Sequence, residues 1–304
     1  MLDAAERDEL ESVFGLIADE TRIAVLLELW EHRTDGDPVV GFSDLRRAVG
    51  VRDSGGFNYH LDRLRPRLVR KVDGGYTLSY AGRQVVTAAA SGVLTVEDDD
   101  TEPVVVGDCL RCGGEVAAEF GTGTVRIDCR DCGALTGEFD APPNLVAATD
   151  DQRLPALLWD YWGTQFRQAV RGFCPYCGGR TTVEDPLGPE DSSLAEAGGD
   201  ERERDDGRDV SVVVYVCEGC QARIHAGLMQ VLVDHAATLA FCFEHGFDPR
   251  ETPSWDPGLE PLLDYESDVV AEDPLRVEAT LSAADDALVL ELDDEMDVVD
   301  YRRE

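Results

Sequence analysis

Eight of the nine cysteines fall into four Cys-x-x-Cys pairs: Cys109/Cys112, Cys129/Cys132, Cys174/Cys177 and Cys217/Cys220. No other feature restricts the fold so strongly. Two thiols on one tight turn supply half of a tetrahedral metal site, and a second such turn completes it. Residues 113–128, 16 positions, separate the first two pairs. That length predicts one hairpin, Glu115–Phe120 and Thr124–Asp128 around Gly121-Thr122-Gly123. Residues 178–216, 39 positions, separate the second two. The excess lies in 184–209, with 11 acidic residues, three basic and no aromatic, the composition of a disordered insertion. The strand Val210–Val216 then runs into Cys217. The expected partners are therefore 109/112 with 129/132 and 174/177 with 217/220, with crossed pairing as the alternative. Glycine follows the second cysteine in three knuckles (Gly113, Gly133, Gly178), and Gly219 sits inside the fourth. Glycine there permits the left-handed turn that aims backbone N–H groups at sulfur. The pattern predicts two structural Zn2+ sites. Iron–sulfur ligation uses the same ligands and stays open. Disulfides and thioredoxin-type redox dithiols fit four glycine-rich knuckles less well.

Charge is spread unevenly. The 304 residues hold 63 acidic and 27 basic side chains, net −36, and Lys71 is the single lysine. An acidic, lysine-poor composition resembles that of proteins from extreme halophiles, where carboxylates hold hydration. Taken alone, −36 opposes nucleic-acid binding. Yet residues 40–90 carry nine basic against four acidic side chains, net +5, while 1–39 carry −8 and 91–304 carry −33. A basic window in an acidic chain points to a nucleic-acid surface.

That window has a matching element pattern. Helices are predicted over 5–17 and 21–31, the second with Ile23, Leu26, Leu27 and Trp30 on one apolar face and Asp19 or Thr21 as cap. Ser43 is expected to cap a short helix, 44–49, closed by Gly50. After a turn at 51–53, a helix capped by Asp53 or Ser54 runs to Arg65, where Pro66 stops it. Phe57, Leu61 and Leu64 face inward; Asn58, Tyr59, His60, Arg63 and Arg65 face outward. A hairpin follows, 68–72 and 76–80 around Asp73-Gly74-Gly75. Two short helices, the second rich in Asn, His, Tyr and Arg, then a hairpin, suit a winged helix-turn-helix.

The runs Asp19–Leu26, Phe42–Leu45, Phe57–Leu61 and Gly75–Gly82 carry a family likeness. Over roughly residues 8–93 the chain resembles ArsR-type winged-helix transcriptional regulators of haloarchaea. The resemblance implies sequence-specific binding of double-stranded DNA, as a homodimer with flanking helices at the contact, of which 81–93 would be one. Ser54, Asn58, Tyr59, His60, Arg63 and Arg65 would lie nearest the groove, and Arg67, Arg70 and Lys71 would meet phosphates. The metal-sensing cysteine pair of some such regulators is absent, since no cysteine precedes Cys109.

Downstream, 154–170 and 225–245 are predicted helices. His235, Cys242 and His245 share one face of the second: either a further metal site, or a buried cysteine beside two partly exposed histidines. Leu275–Leu281 and Leu288–Leu292 are predicted to form a terminal hairpin. The expected class is α+β: a winged helix-turn-helix (1–95), an acidic linker (96–103), a double zinc-ribbon and helical effector domain (104–247), then linker and hairpin (248–304). No nucleotide loop, nucleophile elbow or His-Glu-x-x-His motif marks a catalytic residue or an enzyme. No secretory signal and no apolar run long enough for a membrane appear, so a cytoplasmic location is expected. The expected function is a DNA-binding transcriptional regulator, with the ribbons open to a protein partner. A basal factor of the archaeal factor E type, contacting RNA polymerase, is the alternative, and thiol redox the third.

Overall fold

A computed structural model describes residues 4–34, 38–94, 102–184 (apart from 110, 122, 148, 150 and 151), 210, 212–253 and 264–304. The fold is α+β, with nine helices and four antiparallel sheets among those residues. It divides into two units, Met1–Glu97 with Pro142–Leu145, and Asp98–Ala141 with Val146–Glu304.

The first unit contains α1 (Ala4–Ile17), α2 (Glu20–Thr34), α3 (Phe42–Ala48), α4 (Ser54–Leu64), β1 (Val69–Val72), β2 (Gly75–Leu78) and α5 (Tyr80–Ala90). Its core gathers Val25, Leu26 and Leu29 of α2, Leu45 of α3, Phe57, Leu61 and Leu64 of α4, and Leu68, Val69, Tyr76 and Leu78 around the hairpin. The buried stripe of α2 is thus Val25, Leu26 and Leu29, rotated from the predicted face; Ile23 and Leu27 are exposed. Both stripes satisfy helical spacing, and only the neighbours choose between them. The hairpin gains a third pairing, Val40 with Tyr76, through bonds of 3.0 and 2.9 Å. Gly75 makes it possible: a Cβ there would lie 2.2 Å from the Val40 carbonyl oxygen. Gly41, not Ser43, is the N-cap of α3, and no side chain bonds that terminus.

The second unit begins with a four-stranded meander of β3 (Val104–Asp108), β4 (Glu115–Phe120), β5 (Thr124–Cys129) and β6 (Leu135–Asp140). A short helix α6 (Pro143–Ala147), whose first three residues belong to the first unit, precedes α7 (Leu154–Val170). A three-stranded sheet follows: β7 (Thr181–Val183), β8 (Val212–Cys217) and β9 (Arg223–Gly227). The helix α7 is the spine of this unit. Its Trp162 stacks on Phe139 of β6 at 5.1 Å, and its indole covers Gly137 so closely that a Cβ would lie 2.0 Å from it. Its far end receives the Thr181 hydroxyl on the Ala169 carbonyl at 2.7 Å.

Three expectations need correction here. The predicted helix 225–245 is strand β9, then α8 (Leu228–Leu232), then α9 (Ala236–Glu244). His225 belongs to a strand whose burial alternates, and His235 starts a new helix by accepting the Ala237 N–H on Nδ1 at 3.3 Å. The stretch 248–274, expected as linker, contains strand β10 (Asp264–Glu272). The terminal hairpin, β11 (Leu275–Ala283) and β12 (Asp286–Leu292), is the centre of a four-stranded meander closed by β13 (Val298–Arg303). One face of β11 and β12 buries Val277, Ala279, Leu281, Leu290 and Leu292; the other carries Arg276–Glu291 (3.2 Å) and Arg302–Glu278 (2.8 Å) ion pairs. The polar β10 and β13 hid in a composition that resembles linker. Of the expected insertion, Glu184 bonds Arg223 at 2.7 Å; 185–209 lie outside the described residues, as do 96–101 of the expected linker. No helix among the described residues is long and apolar enough to cross a membrane.

Candidate metal centres and a basic helical face

Each cysteine pair occupies one turn, and the four turns repeat the same backbone bonds. In the first, Gly113 N–H donates to Cys109 O and Cys109 N–H to Gly114 O, both at 2.7 Å. The second and third repeat this with Gly133 and Ala134, then Gly178 and Gly179. Gly113, Gly133 and Gly178 all have φ of +71°, the left-handed conformation expected of glycine there. The fourth knuckle departs from expectation. Its left-handed residue is Gln221, at φ +62°, not a glycine. The Gln221 amide donates to the carbonyls of Cys217 (3.2 Å) and Glu218 (3.1 Å), which offsets the Cβ strain.

The knuckles meet in the expected pairs. Cys109, Cys112, Cys129 and Cys132 form one group and Cys174, Cys177, Cys217 and Cys220 the other, with the sulfurs of each within 4.8 Å of one another. Individual separations are 3.8 Å (Cys109–Cys132), 3.5 Å (Cys112–Cys129), 3.7 Å (Cys174–Cys220) and 3.5 Å (Cys177–Cys217). A single ion with metal–sulfur bonds of about 2.3 Å places tetrahedral sulfurs about 3.8 Å apart. Both groups are thus suited to hold a metal ion such as zinc.

Backbone N–H groups point at the sulfurs: Gly114 to Cys112 (3.4 Å), Cys132 to Cys129 (3.5 Å), Gly179 to Cys177 (3.3 Å), Gly219 to Cys217 (3.3 Å). The Cys132 N–H draws the Cys129 thiol down to about 7, and the Cys220 and Gly219 N–H groups draw Cys217 down to about 6. Against the Gly114 N–H, the neighbouring thiols of Cys129 and Cys132 push Cys112 up to about 12. Four sulfurs at this spacing do not all ionise unless a cation balances them. The trio of His235, Cys242 and His245 is not drawn together: His235 caps α9, Cys242 is buried, and His245 Nε2 lies 3.2 Å from Asp286.

In the first unit, α4 presents the predicted residues in two groups. Ser54, Asn58, Tyr59 and Arg63 are exposed, and the Arg63 guanidinium lies over the Tyr59 ring at 5.8 Å. His60 is turned inward. Its Nδ1 lies 3.3 Å from Asp19 Oδ1, near enough for an ion pair but not aligned for a hydrogen bond. Asp19 also caps α2 by accepting the Arg22 N–H at 3.0 Å. His60 therefore positions α4 against α2 and is displaced from the outward face where the sequence put it. Arg65 donates to Asp62 (3.1 Å), and Arg67 donates to Glu9 of α1 (2.8 Å). Arg70 and Lys71 are exposed on opposite faces of the hairpin, paired with Thr77 and Tyr76. Arg52, which sequence reasoning passed over, is exposed at the entrance to α4, and its carbonyl accepts the Arg46 guanidinium at 2.7 Å.

Asp53 caps α4, accepting the N–H groups of Gly55 (3.1 Å) and Gly56 (2.6 Å). The Gly56 and Gly55 N–H groups hold the Asp53 carboxyl below the usual carboxylate range, and the Arg22 N–H does the same for Asp19. A carboxyl depressed by folding stabilises above the ordinary carboxylate range and ceases to do so as pH falls through its folded value. The expected result of acid titration is loss of α2 and α4 helicity as pH falls through and below the ordinary carboxylate range. Asp53→Asn, which caps without titrating, should shift that loss to lower pH in circular dichroism; an identical curve would remove Asp53 from the account.

A family model described as a domain of unknown function, DUF7351, matches residues 106–298, a span that holds both cysteine groups. The chain belongs to the DUF7351 family. A second model, the domain of unknown function DUF7347, matches residues 10–89, most of α1 through most of α5. No curated protein matches the chain, and no solved structure matches it.

Proposed function

We propose that this DUF7351-family chain is a DNA-binding transcriptional regulator. In this reading α3, α4 and the β1–β2 hairpin act as a winged helix-turn-helix of the ArsR type. The observation that carries the reading is where unpaired cations collect. Elsewhere in this acidic protein arginines are mostly neutralised, as in Arg126–Asp128, Arg250–Asp248 and Arg302–Glu278. Among the described residues, Arg52, Arg63, Arg70 and Lys71 form no ion pair and gather on α4, its entrance and the hairpin; Arg46 and Arg83 of the same 40–90 window form none either, against Arg7, Arg33, Arg111 and Arg167 in the rest of the chain. A chain of net −36 that leaves these cations open has reason to meet a polyanion there. The exposed Leu10 and Phe14 of α1 and Ile23 and Leu27 of α2 support the homodimer that the ArsR resemblance implies.

The cysteine groups are read as structural zinc sites. Four thiolates saturate the ion, leave no open position and tie each sheet together. A cluster spreads its thiolates around several irons and sulfides, which sulfurs 3.5–3.8 Å apart do not enclose.

Genome-wide occupancy in native salt tests the function. Binding confined to a limited set of promoters is expected. Occupancy of most promoters would transfer the chain to the basal-factor reading, and no promoter enrichment would end both. In vitro, Arg70→Ala with Lys71→Ala should weaken binding to every duplex alike and lower the slope of log K against log salt by about one to two. An unchanged slope would remove the hairpin from the interface.

A further inference from the structure

The basic window holds four acidic residues, and three have an evident place. Asp44 pairs with Arg47 at 3.0 Å, Asp53 caps α4, and Asp73 sits in the hairpin turn. Asp62 also pairs with a neighbour, Arg65 at 3.1 Å, but differs from the other three in where it lies. It is exposed on α4, on the surface proposed to face DNA. It also takes hold of two residues of that surface: Asn58 Nδ2 donates to Asp62 Oδ2 at 2.9 Å, and Arg65 Nη1 donates to Asp62 Oδ1 at 3.1 Å. A surface built only to hold phosphates gains nothing from a carboxylate at its centre. Repulsion there weakens binding to any duplex.

Resting on the DNA-reading proposal above, we infer that Asp62 is a specificity-determining residue that demands a base presenting an amino group to the major groove. The chemistry follows from what each group has left to offer. Each Asp62 oxygen accepts one internal bond and keeps further acceptor capacity. Cytosine and adenine present amino donors in the major groove, whereas guanine and thymine present acceptor oxygens there. A carboxylate attracts the first pair and repels the second. The bond from Nδ2 also fixes which way the Asn58 amide points. One N–H is spent on Asp62; the other N–H and Oδ1 remain free, the donor–acceptor set that reads adenine. Asp62 thus selects at its own position and orients the reader at the next.

The test is selection from a randomised duplex pool, in molar potassium chloride, with the full metal-loaded chain and its Asp62→Ala and Asp62→Asn variants. The wild type should enrich a motif with cytosine or adenine at one position. Asp62→Ala should lower that preference roughly tenfold or more, the scale of one good base contact, and blur the adjacent position. It should also raise affinity for unselected duplex, since an anion has gone. Asp62→Asn, whose amide can donate, should admit guanine or thymine at that position. Motifs identical among the three proteins, with only overall affinity changed, would overturn the role of Asp62 and leave the DNA reading standing. A wild type that enriches no motif would overturn both. The side chain is exposed, and matching thermal melts will show that the variants fold.

Discussion

Chelation of the metal should unfold the DUF7351 region. Without a cation the four sulfurs of each group, all within 4.8 Å of one another, cannot all stay ionised, and the small sheets that carry them have modest cores. Structural zinc contributes about 10–16 kcal/mol in isolated finger peptides, whereas whole domains are stable by only about 5–15 kcal/mol. Loss of the ion therefore outweighs what packing retains. Elemental analysis should give two zinc ions per chain, Cys174→Ser should give one, and a strong chelator should abolish the β-sheet signal of the affected ribbon. Cys242→Ser is the control. Its thiol, pushed up to about 11 by burial, lies outside both groups, so the metal count should stay at two. Metal release should grow as pH falls, because protons compete for the sulfurs. A protein that is folded and metal-free would sink the assignment.

Phe57→Ala is expected to detach α4 from its unit. Phe57 is fully buried and meets Phe42 edge-on at 5.3 Å, with Leu61 and Leu64 buried behind it. Truncating such a ring costs about 3–5 kcal/mol, much of the total for a unit this size. The expected outcome is early loss of amide protection in α2–α5, loss of the proposed DNA binding, and a metal content equal to that of the wild type. Tyr59→Ala, on the exposed face of the same helix, should leave protection near that of the wild type. Equal protection in Phe57→Ala and wild type would show that α4 is not held by this core.

What was legible in the sequence was local. Cysteine spacing gave the partners and the β4–β5 hairpin because a Cys-x-x-Cys turn and a 16-residue gap leave few geometries. Asp53, Phe57, Leu61 and Leu64 gave α4 its start and its inner face because caps and helical periodicity act within one or two turns. The hold of Asp62 on Asn58 and Arg65 is local too, at helical spacings of four and three.

The misses share a different cause. Two stripes of α2 fit its periodicity, and the burial of Val25 and Leu29 was settled by α4, α5 and the hairpin. His60 has outward spacing by its own helix, yet Asp19, far back in the chain, holds its ring. Val40 becomes a strand partner because Gly75 leaves room. β10 and β13 carry too many charges to announce themselves, and they form because the apolar faces of β11 and β12 need flanks. Short-range geometry and donor chemistry, which a few consecutive residues determine, were therefore set by the sequence by itself: four knuckles, two four-thiol groups, one basic helix and hairpin. Which face turns inward, and which distant carboxylate meets which cation, only the tertiary structure decided. Burial is a property of surfaces that meet, and a chain read in order does not say which surfaces those will be.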